Sequence, residues 1–310
     1  MTAPISPELD DLLSYFWHSY DGGDNGCGKW YRRAGEPQCC PVLQSQVDSY
    51  ADSAPTRAGR AIFLPEPICG RPENDVLFVG VNPNTKKGNT QAEMEWCLNT
   101  IENPHLGGDL KRKSYLDYYR SWYEDEMESP RYDNEPITGK SLQLLKEALS
   151  QSDERNWGDQ EILPKVTILN TVHCKSNGAI GVEDVRDVCG RQSFRLLLQC
   201  APYAAVVYGR GNWEDWLNAA AGGIPRVAAW TNGEADGETW SLDVDEVRKV
   251  ASQRRGRVWM TRTSDEFKMA LIFSYHPSSR GEFANTRNDV VNALAEALSE
   301  RNQQPPRFPA

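Results

Sequence analysis

The sequence predicts an α/β protein in which a parallel sheet of four strands carries helices on both faces. Two observations predict it. Four short runs are apolar and rich in β-branched residues without polar alternation, the signature of strands buried on both sides. Helical patterns separate these runs, and strand–helix alternation is how parallel strands are joined. With 310 residues the chain is long enough to bury a full core.

The first predicted strand is residues 76–80, VLFVG, and the second is residues 166–170, VTILN. The third is residues 204–208, AAVVY, and the fourth is residues 270–274, ALIFS. Helical patterns cover residues 141–149, 182–200, 213–221 and 286–300. Residues 1–70 hold four cysteines and many Gly and Pro breaks, and they read as a loop-rich extension packed on a core domain of residues 71–302. Long insertions are expected at about 84–165 and 211–270, and a loose tail at 303–310. Within the first insertion, residues 114–123 place five large aromatics in ten positions. They read either as an added helix whose aromatic face joins the core or as a wall over a site.

Charge and hydropathy narrow the classes. Acidic side chains outnumber basic ones by 44 to 34, giving a net charge of −10, so bulk electrostatic coating of nucleic acid is excluded and only a local basic groove remains. No apolar run reaches the roughly 18 residues of a membrane span. The N-terminus is acidic and lacks a basic region followed by an apolar one, so a cytoplasmic protein with reduced thiols is expected. No Gly-x-Gly-x-x-Gly follows the first strand and no Walker-type loop occurs, so no nucleotide cofactor is expected. The absence of Gly-x-Ser-x-Gly argues against an esterase.

Ligands of parallel α/β sheets bind beyond the carboxyl ends of the strands, so the strand ends carry the functional argument. The first strand runs into Gly80, Val81, Asn82, Pro83 and Asn84. Gly80 permits close backbone approach, Pro83 fixes φ, and Asn82 is a neutral amide suited to orient a water. Asn170 closes the second strand, where its carboxamide offers a donor and an acceptor side by side, as reading a base edge requires. The third strand ends at Gly209, a glycine placed for a tight turn. The fourth leads into His276, Pro277, Ser278, Ser279 and Arg280.

In this order, Gly80-Val-Asn-Pro, Leu169-Asn-Thr-Val-His-Cys174, a helix bearing Cys189, Val206-Val-Tyr-Gly-Arg210 and His276-Pro-Ser resemble the uracil-DNA glycosylase superfamily. The resemblance covers roughly residues 75–300 without the insertions. Asn170, Cys174 and Cys189 are similar in spacing to the iron–sulfur group known as family 4, whereas Gly80-Val-Asn-Pro resembles the mismatch-specific and single-strand-selective branches. The resemblance implies a three-layer fold with a central four-stranded parallel sheet. It also implies a [4Fe–4S] cluster held by four cysteines. Cys174 and Cys189 supply two of them, and Cys27 and Cys40 are favoured for the others, with Cys39 and Cys69 as close rivals.

The implied reaction is hydrolysis of the N-glycosidic bond of a flipped-out pyrimidine in DNA, by a monomer, leaving an abasic site. His276 donates a hydrogen bond to the base O2 as charge accumulates there. Asn82 positions the water, and Asn170 reads the base edge. A carboxamide can present either face, so uracil and a bulky modified cytosine, such as the glucosylated hydroxymethylcytosine of phage DNA, both stay open. Lys86, Lys87, Ser278 and Arg280 are the expected DNA contacts, with Arg280 or Phe283 filling the gap left by the flipped base. Two other readings remain, a DNA-binding module without catalysis and a small-molecule hydrolase on the same sheet.

Overall fold

The computed structural model describes residues 68–80, 95–101, 103, 105–128, 136–153, 155–171, 189–190, 193–194, 196–198, 200–209, 240–253, 255–262, 265–305 and 307. The chain divides into two compact units. The first comprises Met1–Ile68, Asn82–Glu128 and Asn170–Cys189, and the second Cys69–Val81, Ser129–Leu169 and Gly190–Ala310. Among the described residues, no helix is long and apolar enough to cross a membrane.

The sheet is α/β as expected but mixed. Its strands are β1 (Ile68–Cys69), β2 (Val76–Gly80), β3 (Thr167–Asn170), β4 (Ala204–Tyr208), β5 (Trp240–Leu242), β6 (Gly256–Arg262) and β7 (Lys268–Ser274). They lie in the order β1-β3-β2-β4-β7-β6-β5. The four runs read from the sequence are thus the adjacent strands β3, β2, β4 and β7, and β2, β4 and β7 are mutually parallel.

The expectation of a four-stranded parallel sheet is corrected by β5 and β6, which lie in the stretch read as an insertion. The strand β6 runs antiparallel to β7, and β5 antiparallel to β6. The physical reason is visible in β6. Its sequence GRVWMTR buries Val258, Met260 and Arg262 while the residues between them stay half-buried. A strand covered mainly on one side alternates, and a search for continuous apolar runs passes over it.

Every residue of β2 and β4 is buried, so the centre of the sheet is covered on both faces. One face packs Val76, Phe78, Ala204, Val206, Ala270 and Ile272 against α2 (Pro136–Ser152) and α5 (Arg280–Ser299), which contribute Leu144, Leu145, Ala148, Val290, Leu294 and Leu298. An ion pair from Arg287 of α5 to Glu147 of α2 fastens the two helices at their rim. Short α3 (Asp159–Ile162) precedes β3, and α4 (Val244–Gln253) joins β5 to β6.

Among the described residues Gly70, Gly209 and Gly256 have positive φ, and the first two bear on the sheet ends. Gly70 stands at φ +116°, and an added Cβ would lie 2.6 Å from both Thr167 Oγ1 and the Val166 carbonyl oxygen. Asn74 Nδ2 donates to the same Thr167 Oγ1 at 2.8 Å, and the Thr167 hydroxyl donates to the Arg71 carbonyl at 2.8 Å. Gly209 at φ +87° turns the chain out of β4, as the sequence predicted, and its N–H donates to the Ser274 carbonyl at 3.1 Å.

The opposite, amino edge of the sheet is held by residue 307, within the stretch expected to be loose. Arg307 is buried. Its guanidinium donates to the carbonyls of Cys200 (2.8 Å), Ala201 (2.9 Å) and Glu73 (2.6 Å) and lies 5.5 Å from the ring centre of Tyr203. Its own carbonyl accepts from Arg262 Nη1 at 2.7 Å, while Arg262 forms a two-bond pair with Asp265.

The first unit contains the π-helical turn Cys97–Ile101 and α1 (Gly108–Glu128), which takes in the aromatic run. Tyr115 is fully buried, as the core reading of that run requires, whereas Tyr118 is half-buried and stacks on Trp96 with ring centres 4.2 Å apart.

Candidate active site at the carboxyl edge of the sheet

The register places the ends of three parallel strands level. Val79 pairs with Val207, and Tyr208 pairs with Ser274, so Gly80, Tyr208 and Ser274 end β2, β4 and β7 side by side. Two residues beyond Gly80 in the sequence comes Asn82, and two beyond Ser274 comes His276. Asn82, Pro83, Lys86 and Lys87 lie outside the described residues.

Tyr208 supports this edge from below. Its ring is fully buried, stacks on Phe78 and meets Phe283 at 6.3 Å between centroids. Its hydroxyl lies 3.0 Å from that of Ser141 on α2, and burial pushes its pKa above the usual phenol value. The sequence marks this residue only as a tyrosine closing a buried strand. A phenol so placed needs a partner, and the helix supplies it.

His276 is half-buried in the turn between β7 and α5. The Ser278 backbone N–H donates to its Nδ1 at 3.2 Å, and the Ser278 hydroxyl lies 2.7 Å from the same nitrogen. A backbone N–H can only donate, so Nδ1 serves as acceptor. The hydroxyl can rotate to suit. Burial holds the imidazole pKa below its usual value. Together these favour a neutral ring with its proton on Nε2. Such a group can donate a hydrogen bond to developing negative charge without itself being a cation.

Ser278, one of the expected DNA contacts, is exposed, and its hydroxyl lies beside the imidazole. The signal for this was the His-Pro-Ser spacing, since a serine hydroxyl two residues along readily bonds a local acceptor. Arg280 is the first residue of α5. Phe283, offered as an alternative wedge, is buried in the core against Tyr208, which corrects that alternative: its position one turn into α5 turns it inward. Asn170 is buried at the end of β3.

Of the thiolates implied for a cluster, Cys189 is buried with its thiol free of any disulfide. Cys27, Cys39, Cys40 and Cys174 lie outside the described residues, as does the side chain of Cys69. Among the described residues, no group of three or more His, Cys, Asp or Glu is placed to hold a metal ion. Cys200 is a core thiol whose pKa burial pushes up to about 12.

In the basic run at residues 254–257, Arg255 and Arg257 are engaged within the protein. Arg255 pairs with Asp289 at 3.7 Å, and Arg257 pairs with Glu296 and covers the Trp259 ring. In comparisons with known proteins, the chain matches no family model and no curated protein.

Proposed function

We propose that this protein is a DNA glycosylase that hydrolyses the N-glycosidic bond of a flipped-out pyrimidine and leaves an abasic site. The observation that carries the reading is His276. A neutral imidazole with its Nε2 proton free to donate stands two residues past Ser274, the strand end that lies level with Gly80. Breaking the glycosidic bond puts negative charge on the departing base, and a fixed neutral donor stabilises that charge.

In this reading Asn82 orients the attacking water and Asn170 binds the base edge. An amide is a poor base, so the water attacks a sugar cation that has already formed. Gly80 and Pro83 shape the strand end, while Lys86, Lys87 and Arg280 meet phosphates. The protein acts as a cytoplasmic monomer on DNA, on uracil or on a bulky modified cytosine of phage DNA. A [4Fe–4S] cluster on Cys27, Cys40, Cys174 and Cys189 belongs to the same proposal, and no chemical step runs through it.

The test is a panel of oligonucleotides, each with one uracil or one modified cytosine, incubated with protein and then treated with alkali. The expected result is cleavage at the modified position of at least one member, with the rate cut by about 10²–10³-fold in His276→Ala. Retained DNA binding with no alkali-labile site across the panel would instead favour a module without catalysis. Iron and sulfide analysis of anaerobically purified protein tests the cluster separately.

A further inference from the structure

We propose that Tyr208, held by its hydroxyl contact with Ser141, is a positioning residue that fixes the turn carrying His276. The functional consequence rests on the glycosylase reading above, whereas the positioning itself is read from the turn.

The turn runs from Ser274, the last residue of β7, to Arg280, the first of α5, and both of its ends return to Tyr208. On the strand side, Ser274 is the register partner of Tyr208, and the Ser274 carbonyl accepts from the Gly209 N–H at 3.1 Å. On the helix side, the buried ring of Phe283 meets the Tyr208 ring at 6.3 Å between centres. Between these ends the turn closes on itself. The Ser279 N–H donates to the His276 carbonyl at 2.8 Å, and the Phe283 N–H donates to the Ser279 carbonyl at 2.9 Å. His276 thus sits in a circuit of contacts that begins and ends at one residue of β4.

Packing alone does not call for a phenol at this place. Tyr208 belongs to the cluster of apolar side chains between the sheet and the helices α2 and α5, where a phenylalanine would fill the same ring volume. The added hydroxyl must be paired inside the protein or it costs stability. Ser141, in the second turn of α2 and itself fully buried, lies 3.0 Å away and pairs with it. A hydrogen bond has a preferred length and direction that apolar packing lacks, so this pair sets where the ring stands along its own axis. The ring in turn sets where Phe283 and the start of α5 stand. A donor aimed at charge developing on a departing base can lose about 10²-fold in effect when misplaced by about 1 Å.

The test is amide hydrogen exchange of the full-length protein, followed by NMR, for wild type, Tyr208→Phe, Ser141→Ala and the double variant. In each single variant the Ser279 and Phe283 amides should exchange about tenfold faster relative to those of Val206 and Ile272 in the sheet, as for the loss of one hydrogen bond. The double variant should show no further loss, because both substitutions remove the same bond. Single-turnover base excision should fall by a similar factor in each single variant, with DNA binding unchanged. Equal loss of protection in turn and sheet, unchanged protection in the turn, or additive effects in the double variant overturns the proposal, since the pair would then only hold the core. Excision at the wild-type rate by a variant whose turn has loosened overturns it as well. Exchange is read without substrate, so a turn that loosens as described in a protein that excises nothing overturns the glycosylase reading alone.

Discussion

The backbone N–H of Ser278 donates to Nδ1 of His276 at 3.2 Å, from a residue only two positions further along the chain. The donor belongs to the main chain, so no substitution at 278 other than proline removes it, and the imidazole keeps its acceptor role at Nδ1. Consequences for rate, pH and stability follow.

Replacing His276 with alanine should lower single-turnover base excision by about 10²–10³-fold, the usual effect of losing one preorganised donor to developing negative charge. Substrate binding should change far less. Because burial depresses the imidazole pKa, the acid limb of the wild-type pH–rate profile should lie below the ordinary histidine value of about 6.5. Activity is full where the ring is neutral and falls as pH drops through the depressed value. A limb above 6.5 would contradict the assignment.

The same depression affects stability. Between the folded-state pKa and the unfolded value near 6.5, the unfolded chain binds more protons at this site, so stability rises with pH across that window. Denaturant midpoints should therefore fall on acidification through it. His276→Gln should flatten that part of the profile, which equilibrium unfolding at several pH values would detect.

Arg307→Ala should destabilise the second unit by roughly 3 kcal/mol, since it strips the carbonyls of buried Cys200 and Ala201, and that of Glu73, of their donor. Arg307→Lys should recover little, because a point charge cannot reproduce the planar fork. Urea unfolding of both variants measures this, and equal stability of wild type and Arg307→Ala would count against the clamp.

Phe283→Ala should cost about 3–5 kcal/mol of stability, as for a core aromatic. A residue that inserted into DNA would instead weaken binding and leave the unfolding midpoint in place. Thermal denaturation beside a binding curve separates the two.

How much of this was legible in the sequence depends on burial. The strands β2 and β4 match their apolar runs residue for residue, because strands buried on both faces show nothing but apolar side chains. The strand β7 begins two residues before its apolar run, at Lys268, whose side chain is exposed. The helix α5 was read from residue 286 but starts at Arg280, since Arg280, Gly281 and Glu282 carry no apolar signal. At the site, the strand ends were correctly located as Gly80, Tyr208 and Ser274. The coupling of Ser278 to His276 was not, because it depends on the local turn and not on residue type. Arg307 escaped for a related reason, as a lone cation among prolines gives no sequence hint that carbonyls await it.

The pairing of β6 with β7 has a kinetic meaning. The two strands are antiparallel neighbours along the chain, with Thr261 opposite Lys268, whereas β2 and β4 meet only after more than a hundred intervening residues. Closing the short loop costs little entropy and the long one much more. The hairpin, with α5 following directly, is the natural nucleus onto which the earlier strands dock, so its amides should gain protection first in pulsed hydrogen exchange during refolding.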